Sequence, residues 1–227
     1  HGILGINLGK NKETPLENAG EDYLKGLSAT HAWADYFCIN ISSPNTEDLR
    51  QLQEGDQLSR LLDQLCSQRE MLDREAGKKT PLLIKLAPDW EEKALQRSIE
   101  RIKTFPLDGV IATNTTLSRE GLTSPLARES GGLSGKPLLK SSNKVIKTLY
   151  REIGAHIPII GVGGIFTAED AYAKIKAGAS AVQVYTGLVY QGPGMVREIK
   201  KGLVRLLRQD GLPNISAAIG LDEKTAV

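Results

Sequence analysis

Short apolar runs alternate with amphipathic helical patterns along all 227 residues, and this alternation constrains the fold more than any other feature of the sequence. Nearly continuous apolar runs indicate strands that are buried on both faces, which is typical of parallel sheets. Parallel strands need a crossover connection, usually a helix, between them. The predicted strands are residues 3–8, 35–42, 81–87, 109–114, 157–164 and 180–188.

Helical periodicity fills the segments that follow these strands. The predicted helices are residues 17–33, 57–75, 91–103, 140–153, 167–178 and 195–208. In the second of them, leucines recur at helical spacing at Leu58, Leu61, Leu62 and Leu65. Thr167, with Asp170 three residues later, predicts a capped helix start, and Gly178 predicts the helix end. Residues 118–137 are rich in Gly, Ser and Pro and form a connection too long for a plain strand-to-helix turn.

Each predicted strand stops on a polar residue or on glycine. These strand ends are Asn7, Asn40, Lys85, Asn114, Gly163–Gly164 and Tyr185–Thr186. A (β/α)8 barrel places its active site at the carboxyl ends of all strands, whereas a doubly wound sheet uses one switch point. We therefore predict an α/β fold, a TIM-type (β/α)8 barrel with about six of the eight βα units present. Because the chain starts inside a strand, we expect residues 1–227 to be one barrel domain that is incomplete at its N-terminus.

Composition narrows the functional classes. The 29 basic and 27 acidic residues include no basic tract, so nothing in the charge pattern points to nucleic acid. Cys38 and Cys66 lack metal-ligand spacing, which predicts free thiols and no metal site. No apolar run approaches the ~20 residues of a membrane span.

Several strand-end residues suggest chemistry. GVGGI at 161–165 precedes a helix, where backbone N–H groups can bind phosphate. Lys85 lies in an apolar strand, and we expect its cation to point into the barrel mouth and stabilise negative charge on a cofactor ring. Converging amides suit a flat heterocycle rich in C=O and N–H groups; they are Asn7, Asn40, Asn45 and Asn114. Ser43 follows a strand, but no histidine is placed to complete a Ser-His pair.

A series of motifs covers the chain from end to end. They are NLGKNK (7–12), NISSPNT (40–46), LIKLAPD (83–89), TNTT (113–116), GGLSGKP (131–137), PIIGVGGI (158–165), GASAVQVYTGLVYQGP (178–193) and AIG (218–220). In this order they resemble dihydroorotate dehydrogenases, most closely the quinone-linked, membrane-associated class 2. The soluble classes carry a cysteine where this chain has Ser43.

The resemblance implies oxidation of dihydroorotate to orotate in de novo pyrimidine biosynthesis, with FMN as cofactor and a ubiquinone-type quinone as electron acceptor. It implies that Ser43 is the base for the C5 proton and that hydride passes from C6 to flavin N5. The implied FMN-binding residues are Asn7, Asn40, Lys85, Thr113, Ser134, Gly135, Gly163, Gly164, Tyr185 and Thr186. The implied substrate-binding residues are Asn40, Asn45, Asn114 and Thr115.

The resemblance also implies membrane association through an N-terminal segment that this chain lacks. The expected location is the mitochondrial inner membrane, or alternatively the cytoplasmic face of a bacterial inner membrane. Two other functions stay open. One is a phosphate-binding barrel synthase or lyase without flavin, in which Lys85 forms a Schiff base. The other is an inactive binding fragment when the chain is isolated from its N-terminal part.

Overall fold

A computed structural model describes residues 2–46, 48–53, 55–154 and 156–224. The chain divides into two compact units, His1–Ile111 and Ala112–Val227. The prediction of a single domain over residues 1–227 stays a prediction. Both units consist of strands that alternate with helices, as the sequence pattern predicts.

The first unit carries three strands that pair in parallel and in chain order. They are β1 (Gly5–Leu8), β2 (Tyr36–Asn40) and β3 (Leu82–Leu86); β4 (Gly109–Ala112) follows at the end of the unit. The helices are α1 (Ala19–Thr30), α2 (Gly55–Ala76) and α3 (Glu92–Ile102), and residues Leu16–Asn18 and Leu49–Gln53 form 3-10 helices. Phe37 and Ile84 are fully buried, as expected for strands covered on both faces.

The leucine stripe of α2 is buried as predicted. All four leucines at the helical spacing are at most 4% exposed, and α2 packs beside α1. Its bounds exceed the predicted 57–75 by a residue or two at each end. The prediction of α2 succeeded because its leucines form one continuous apolar face, which is buried.

A group of largely buried charged residues links the segments that precede β3 and β4. Asp73 accepts hydrogen bonds from the Thr80 backbone and lies 2.8 Å from His31 Nε2. Arg69 pairs with Asp108 at 3.2 Å. Burial acts to raise the pKa of Asp73, but the hydrogen bonds from His31 and Thr80 lower it below its ordinary value. In barrels this end of the strands serves stability, so the cluster accounts for His31 without a catalytic role.

The second unit contains β5 (Ile159–Val162) and β6 (Ala181–Gln183), which pair in parallel. Its helices are α4 (Leu139–Ile153), α5 (Ala168–Lys176), α6 (Thr186–Gln191), α7 (Gly194–Gln209), α8 (Ile215–Ala218) and α9 (Leu221–Lys224). The long connection at 118–137 holds two 3-10 helices, Pro125–Arg128 and Lys136–Leu138. The sequence pattern did not predict α8 and α9.

The predicted strand 180–188 is wrong beyond its first residues. The strand ends at Gln183, and α6 begins at Thr186. A short apolar run cannot distinguish strand from helix by periodicity alone, and here the run VQVYTGLVY contains both. Close packing requires glycine at position 187 of this helix, because a Cβ atom there would lie 2.4 Å from the carbonyl oxygen of Ile165. The strand predictions 109–114 and 157–164 are also too long, since β4 ends at Ala112 and β5 covers only 159–162.

The predicted cap of α5 is confirmed. Thr167 Oγ1 accepts the Asp170 N–H at 3.2 Å, and Asp170 Oδ2 accepts the Thr167 N–H at 3.0 Å. The two bonds form a reciprocal capping box. Gly178 lies two residues beyond the last helical residue with φ of +125°, a conformation that L side chains rarely adopt.

Candidate active site

The register of the first unit places three predicted ligands on one face of the sheet. Asn7 is level with Cys38, and Asn40 is level with Lys85. Aligned residues of parallel strands, and residues two apart along a strand, point to the same side. Asn7, Asn40 and Lys85 therefore project from the same face, near the carboxyl ends of their strands.

Asn40 accepts hydrogen bonds at its backbone carbonyl oxygen and at its side-chain oxygen. The Tyr23 hydroxyl donates to the Asn40 carbonyl oxygen at 2.8 Å, and the Ser42 hydroxyl donates to Asn40 Oδ1 at 3.2 Å. Tyr23 is fully buried, and this burial raises the pKa of its hydroxyl above the ordinary value. A neutral tyrosine keeps its hydroxyl proton and can donate it to the Asn40 carbonyl oxygen, and this bond fixes the end of β2.

Ser43 lies in the turn that follows β2. Its side-chain oxygen accepts the Asn45 N–H at 3.2 Å, Ser43 is half-buried, and Asn45 is exposed. His31 is engaged with Asp73 and Thr80, and His1 lies outside the described residues. A Ser-His mechanism therefore gains no support from His31.

Lys85 places a positive charge beside a buried thiol. Burial raises the pKa of Cys38 to about 12, and the nearby charge of Lys85 acts in the opposite direction. Lys85 is half-buried between the buried residues Ile84 and Leu86. Cys38 and Cys66 are both buried and free, which confirms the prediction of free thiols.

In the second unit, three predicted cofactor ligands are in contact. Thr186 Oγ1 donates to Ser134 Oγ at 2.8 Å. Gly135 has φ of +81°, and a Cβ atom there would lie 3.2 Å from Thr186 Cγ2. The neighbouring Tyr185 has a side chain that is 76% exposed. The structure thus brings Ser134, Gly135 and Thr186 together.

The glycine pair after β5 lies tightly against the start of α4. Gly163 and Gly164 have φ of +118° and +77°. A Cβ atom on Gly164 would lie 2.7 Å from the backbone nitrogen of Leu139, and one on Gly163 would lie 2.8 Å from Leu138. Only glycine fits this backbone. A tight glycine turn therefore follows β5, with the N-terminus of α4 beside it, and phosphate binding by this turn stays a prediction.

Thr113 carries a buried hydroxyl that lacks a partner among the described residues. Its backbone N–H donates to the Val162 carbonyl oxygen at 2.9 Å, but its Oγ1 has no hydrogen-bond partner in the part of the chain that the structure describes. Buried polar atoms are normally satisfied, so a bound group is the natural partner for this hydroxyl. Asn114 and Thr115 follow in a turn in which the Thr115 N–H donates to Asn114 Oδ1 at 2.8 Å.

The sequence pattern did not single out Lys174. This residue is linked through Ser142 to the end of β5, just before the glycine pair. Lys174 is fully buried, and its Nζ donates to Ser142 Oγ at 2.9 Å and to Asn143 Oδ1 at 2.8 Å. Ser142 in turn donates to the Val162 carbonyl oxygen at 2.7 Å. Burial lowers the pKa of Lys174 to about 7. A lysine on the buried face of α5, three residues after Ala171, was the available signal.

Comparisons with known proteins decide the family. A sequence model described as dihydroorotate dehydrogenase matches residues 1–207. The chain belongs to the dihydroorotate dehydrogenase family. It is 50% identical over 228 residues to the dihydroorotate dehydrogenase (quinone) of Trichodesmium erythraeum, covering 97% of this chain and 58% of that protein. It is 51% identical over 205 residues to the dihydroorotate dehydrogenase (quinone) of Neisseria meningitidis serogroup B, covering 90% of this chain and 61% of that protein.

A solved structure matches the fold of this family member. The crystal structure of DHODH from Eimeria tenella in complex with ferulenol superposes with a TM-score of 0.92 at 41% identity, covering 98% of this chain and 62% of that one. The prediction of an α/β TIM-type barrel that is only partly present in this chain is therefore confirmed. The chain spans about three fifths of the length of the relatives that it matches.

Proposed function

We propose that this chain supplies the FMN-binding and dihydroorotate-binding part of a quinone-linked dihydroorotate dehydrogenase. One observation carries the proposal. Asn7, Asn40 and Lys85 project from one face of the sheet, and the turn with Ser43 and Asn45 directly follows the strand that carries Asn40. A cation, several amides and a hydroxyl are the groups that a redox reaction of a flat pyrimidine ring requires.

The residues of the second unit fit FMN. The hydroxyl of Thr113 is buried and lacks a partner within residues 2–46, 48–53, 55–154 and 156–224, which leaves it for a cofactor. Gly163 and Gly164 expose backbone in conformations that a side chain would block, next to the start of α4. The paired hydroxyls of Ser134 and Thr186 offer further donors. We assign the phosphate group of FMN to these residues together with Gly135 and Tyr185.

The chain's own residues bind, orient and move a proton. When bound, FMN supplies the two-electron acceptor chemistry. Ser43 removes the proton from C5 of dihydroorotate, and Asn40 and Asn45, with Asn114 and Thr115, bind the ring. The ammonium group of Lys85 stabilises negative charge on the cofactor side of the site. A serine is a weak base at its ordinary pKa, so its orientation is decisive.

The names and sources of the relatives support proposals for the electron acceptor and the location. The relatives from Trichodesmium erythraeum and Neisseria meningitidis are bacterial proteins named dihydroorotate dehydrogenase (quinone), which supports a quinone acceptor and the cytoplasmic face of a bacterial inner membrane. The mitochondrial inner membrane stays the other prediction. No helix within the described residues is long and apolar enough to cross a membrane. We propose that membrane and quinone contacts lie in sequence that this chain does not contain.

An anaerobic titration of the purified protein with dihydroorotate tests the proposal. We expect the visible band of oxidised flavin to bleach on addition of dihydroorotate and to recover with a quinone. Ser43→Ala should slow bleaching by about 10²-fold or more, within the usual range for losing a general base. The control Ser28→Ala removes an exposed hydroxyl of α1 that bonds Gln68 and should change nothing.

Other outcomes separate the competing functions. If a flavin band is present but does not change on addition of dihydroorotate, FMN binding is supported and dihydroorotate is excluded as the substrate. A protein without flavin whose activity is lost on borohydride reduction with substrate would favour the synthase or lyase with a Schiff base at Lys85. Binding of orotate without any turnover would favour the inactive fragment.

A further inference from the structure

The turn that carries Ser43 is also held by hydrogen bonds from a residue outside the proposed binding site, Arg50. We infer that Arg50 is a positioning residue for Ser43, and that it acts by fixing the peptide group before Ser43 to a carboxylate after β3. The inference rests on the proposed function, because it concerns the same proton transfer. It adds a residue outside the proposed substrate-binding and FMN-binding residues.

The guanidinium group of Arg50 joins two segments. Its Nε donates to the Ser42 carbonyl oxygen at 3.3 Å, and its Nη1 donates to Asp89 Oδ2 at 2.8 Å. The Ser42 carbonyl belongs to the peptide group that links Ser42 to Ser43, so a shift of that group moves Ser43 directly. The guanidinium is planar and rigid, so the two bonds fix an orientation as well as a distance.

The backbone of Arg50 is itself held by a buried glutamine. Gln53 is 3% exposed, and its Nε2 donates to the Arg50 carbonyl oxygen at 3.3 Å. Its Oε1 accepts the Ala87 N–H at 2.9 Å, and its own carbonyl oxygen accepts the Ser98 hydroxyl at 2.6 Å. The 3-10 helix Leu49–Gln53 is thereby anchored to the end of β3 and to α3. The backbone of Arg50 is therefore held in position while its side chain reaches the Ser42 carbonyl oxygen.

The partial exposure of this ion pair limits what it contributes to the stability of the fold. The side chains of Arg50 and Asp89 are 20% and 29% exposed. Ion pairs that water reaches contribute roughly 0–1 kcal/mol to stability. By contrast, a misplacement of about 1 Å at a reacting group can cost about 10²-fold in rate. Loss of Arg50 should therefore slow the proton transfer while leaving the fold nearly unchanged.

Stopped-flow reduction of the purified flavoprotein by dihydroorotate, without oxygen, tests this role. Arg50→Ala should lower the reduction rate by about 10- to 100-fold. Arg50→Lys keeps the charge but loses the fork and should recover part of the rate. Arg74→Ala removes an arginine at the end of α2, whose Nε donates to the Glu70 carbonyl oxygen, and should match the unmodified protein. Reoxidation of the flavin by quinone should be unchanged in all three variants.

A double variant shows whether Arg50 acts through Ser43. In the Ser43→Ala background, adding Arg50→Ala should change the reduction rate by less than about 2-fold, because the group that Arg50 positions is already gone. Hydrogen exchange over residues 42–53 should accelerate in Arg50→Ala alone. An equally large effect of Arg50→Ala with and without Ser43 overturns the inference, and so does faster exchange with an unchanged reduction rate.

These outcomes separate the inference from the function on which it rests. If Ser43→Ala slows reduction and Arg50→Ala behaves like Arg74→Ala, only the role of Arg50 fails. If dihydroorotate does not reduce the unmodified protein, the proposed function fails and the inference fails with it. If Arg50→Ala slows quinone reoxidation as much as reduction, Arg50 acts on the fold or the cofactor, which also overturns the inference.

Discussion

Lys174 is a fully buried cation whose hydrogen-bond partners, Ser142 and Asn143, are neutral. Burial lowers its pKa from 10.5 to about 7 in the folded chain. Between these two values the unfolded chain binds more protons than the folded one, so stability rises with pH. Below about pH 7 the full cost of burying the charge is present.

We therefore expect a distinct pH dependence of unfolding. From pH 7 to pH 10, the free energy of unfolding of the unmodified protein should rise by about 3 kcal/mol relative to Lys174→Met. Urea unfolding across this range measures it. Lys200→Met removes an exposed lysine of α7 and should keep the slope of the unmodified protein. Equal slopes for the unmodified protein and Lys174→Met would contradict the role assigned to Lys174.

At the scale of secondary-structure elements, predictions succeeded where residues close in sequence determine the local conformation. The capping box at Thr167 needs only a hydroxyl and a carboxylate three residues apart, so sequence spacing revealed it. The strand predicted to reach residue 188 failed because β-branched and aromatic residues continue into α6, where Gly187 packs closely against Ile165 and Met195. Propensity is a weak guide where tertiary packing competes with it.

The cap of α5 gives a test at this scale. Thr167→Ala removes the acceptor for the Asp170 N–H and should lower the free energy of unfolding by about 1 kcal/mol, as helix-cap losses usually do. Thr148→Ala is the matched control, because Thr148 lies inside α4 and its hydroxyl donates to the Lys144 carbonyl oxygen in the preceding turn. The control should be neutral or slightly stabilising. Chemical unfolding of both variants gives the comparison, and equal stabilities would count against the cap.

At the scale of the whole molecule, the order of βα segments was predictable, and so were the places of Asn40 and Lys85 near the carboxyl ends of their strands. Both could be read from apolar runs that stop at polar residues, whereas the structure supplies the alignment of Asn40 with Lys85. The supporting residues were not predictable. Arg50 meets Asp89 across 39 positions, and Lys174 meets Ser142 across 32. Such pairs depend on how distant segments pack, and no periodicity in one segment reveals them.

Cofactor binding should make the stability of the whole protein depend on FMN. A ligand that binds only the folded state at 100 times its Kd stabilises by about 2.7 kcal/mol, which for a chain of this size corresponds to roughly 5–10 °C in Tm. Thermal unfolding at increasing FMN concentration measures this shift. Because the Thr186 hydroxyl is paired with Ser134 beside Gly135, we expect Thr186→Val to need about tenfold more FMN for the same shift.

The choice of valine keeps the shape of the threonine side chain and removes only its hydroxyl, so the variant tests binding and not packing. Thr148→Val makes the same exchange in α4, away from the glycine turn, and should follow the FMN dependence of the unmodified protein. Equal dependence for Thr186→Val and Thr148→Val would remove Thr186 from the phosphate site. A Tm that does not respond to FMN in any variant would reject the assignment of Thr113, Gly163 and Gly164 to the cofactor, because these residues have no other proposed ligand.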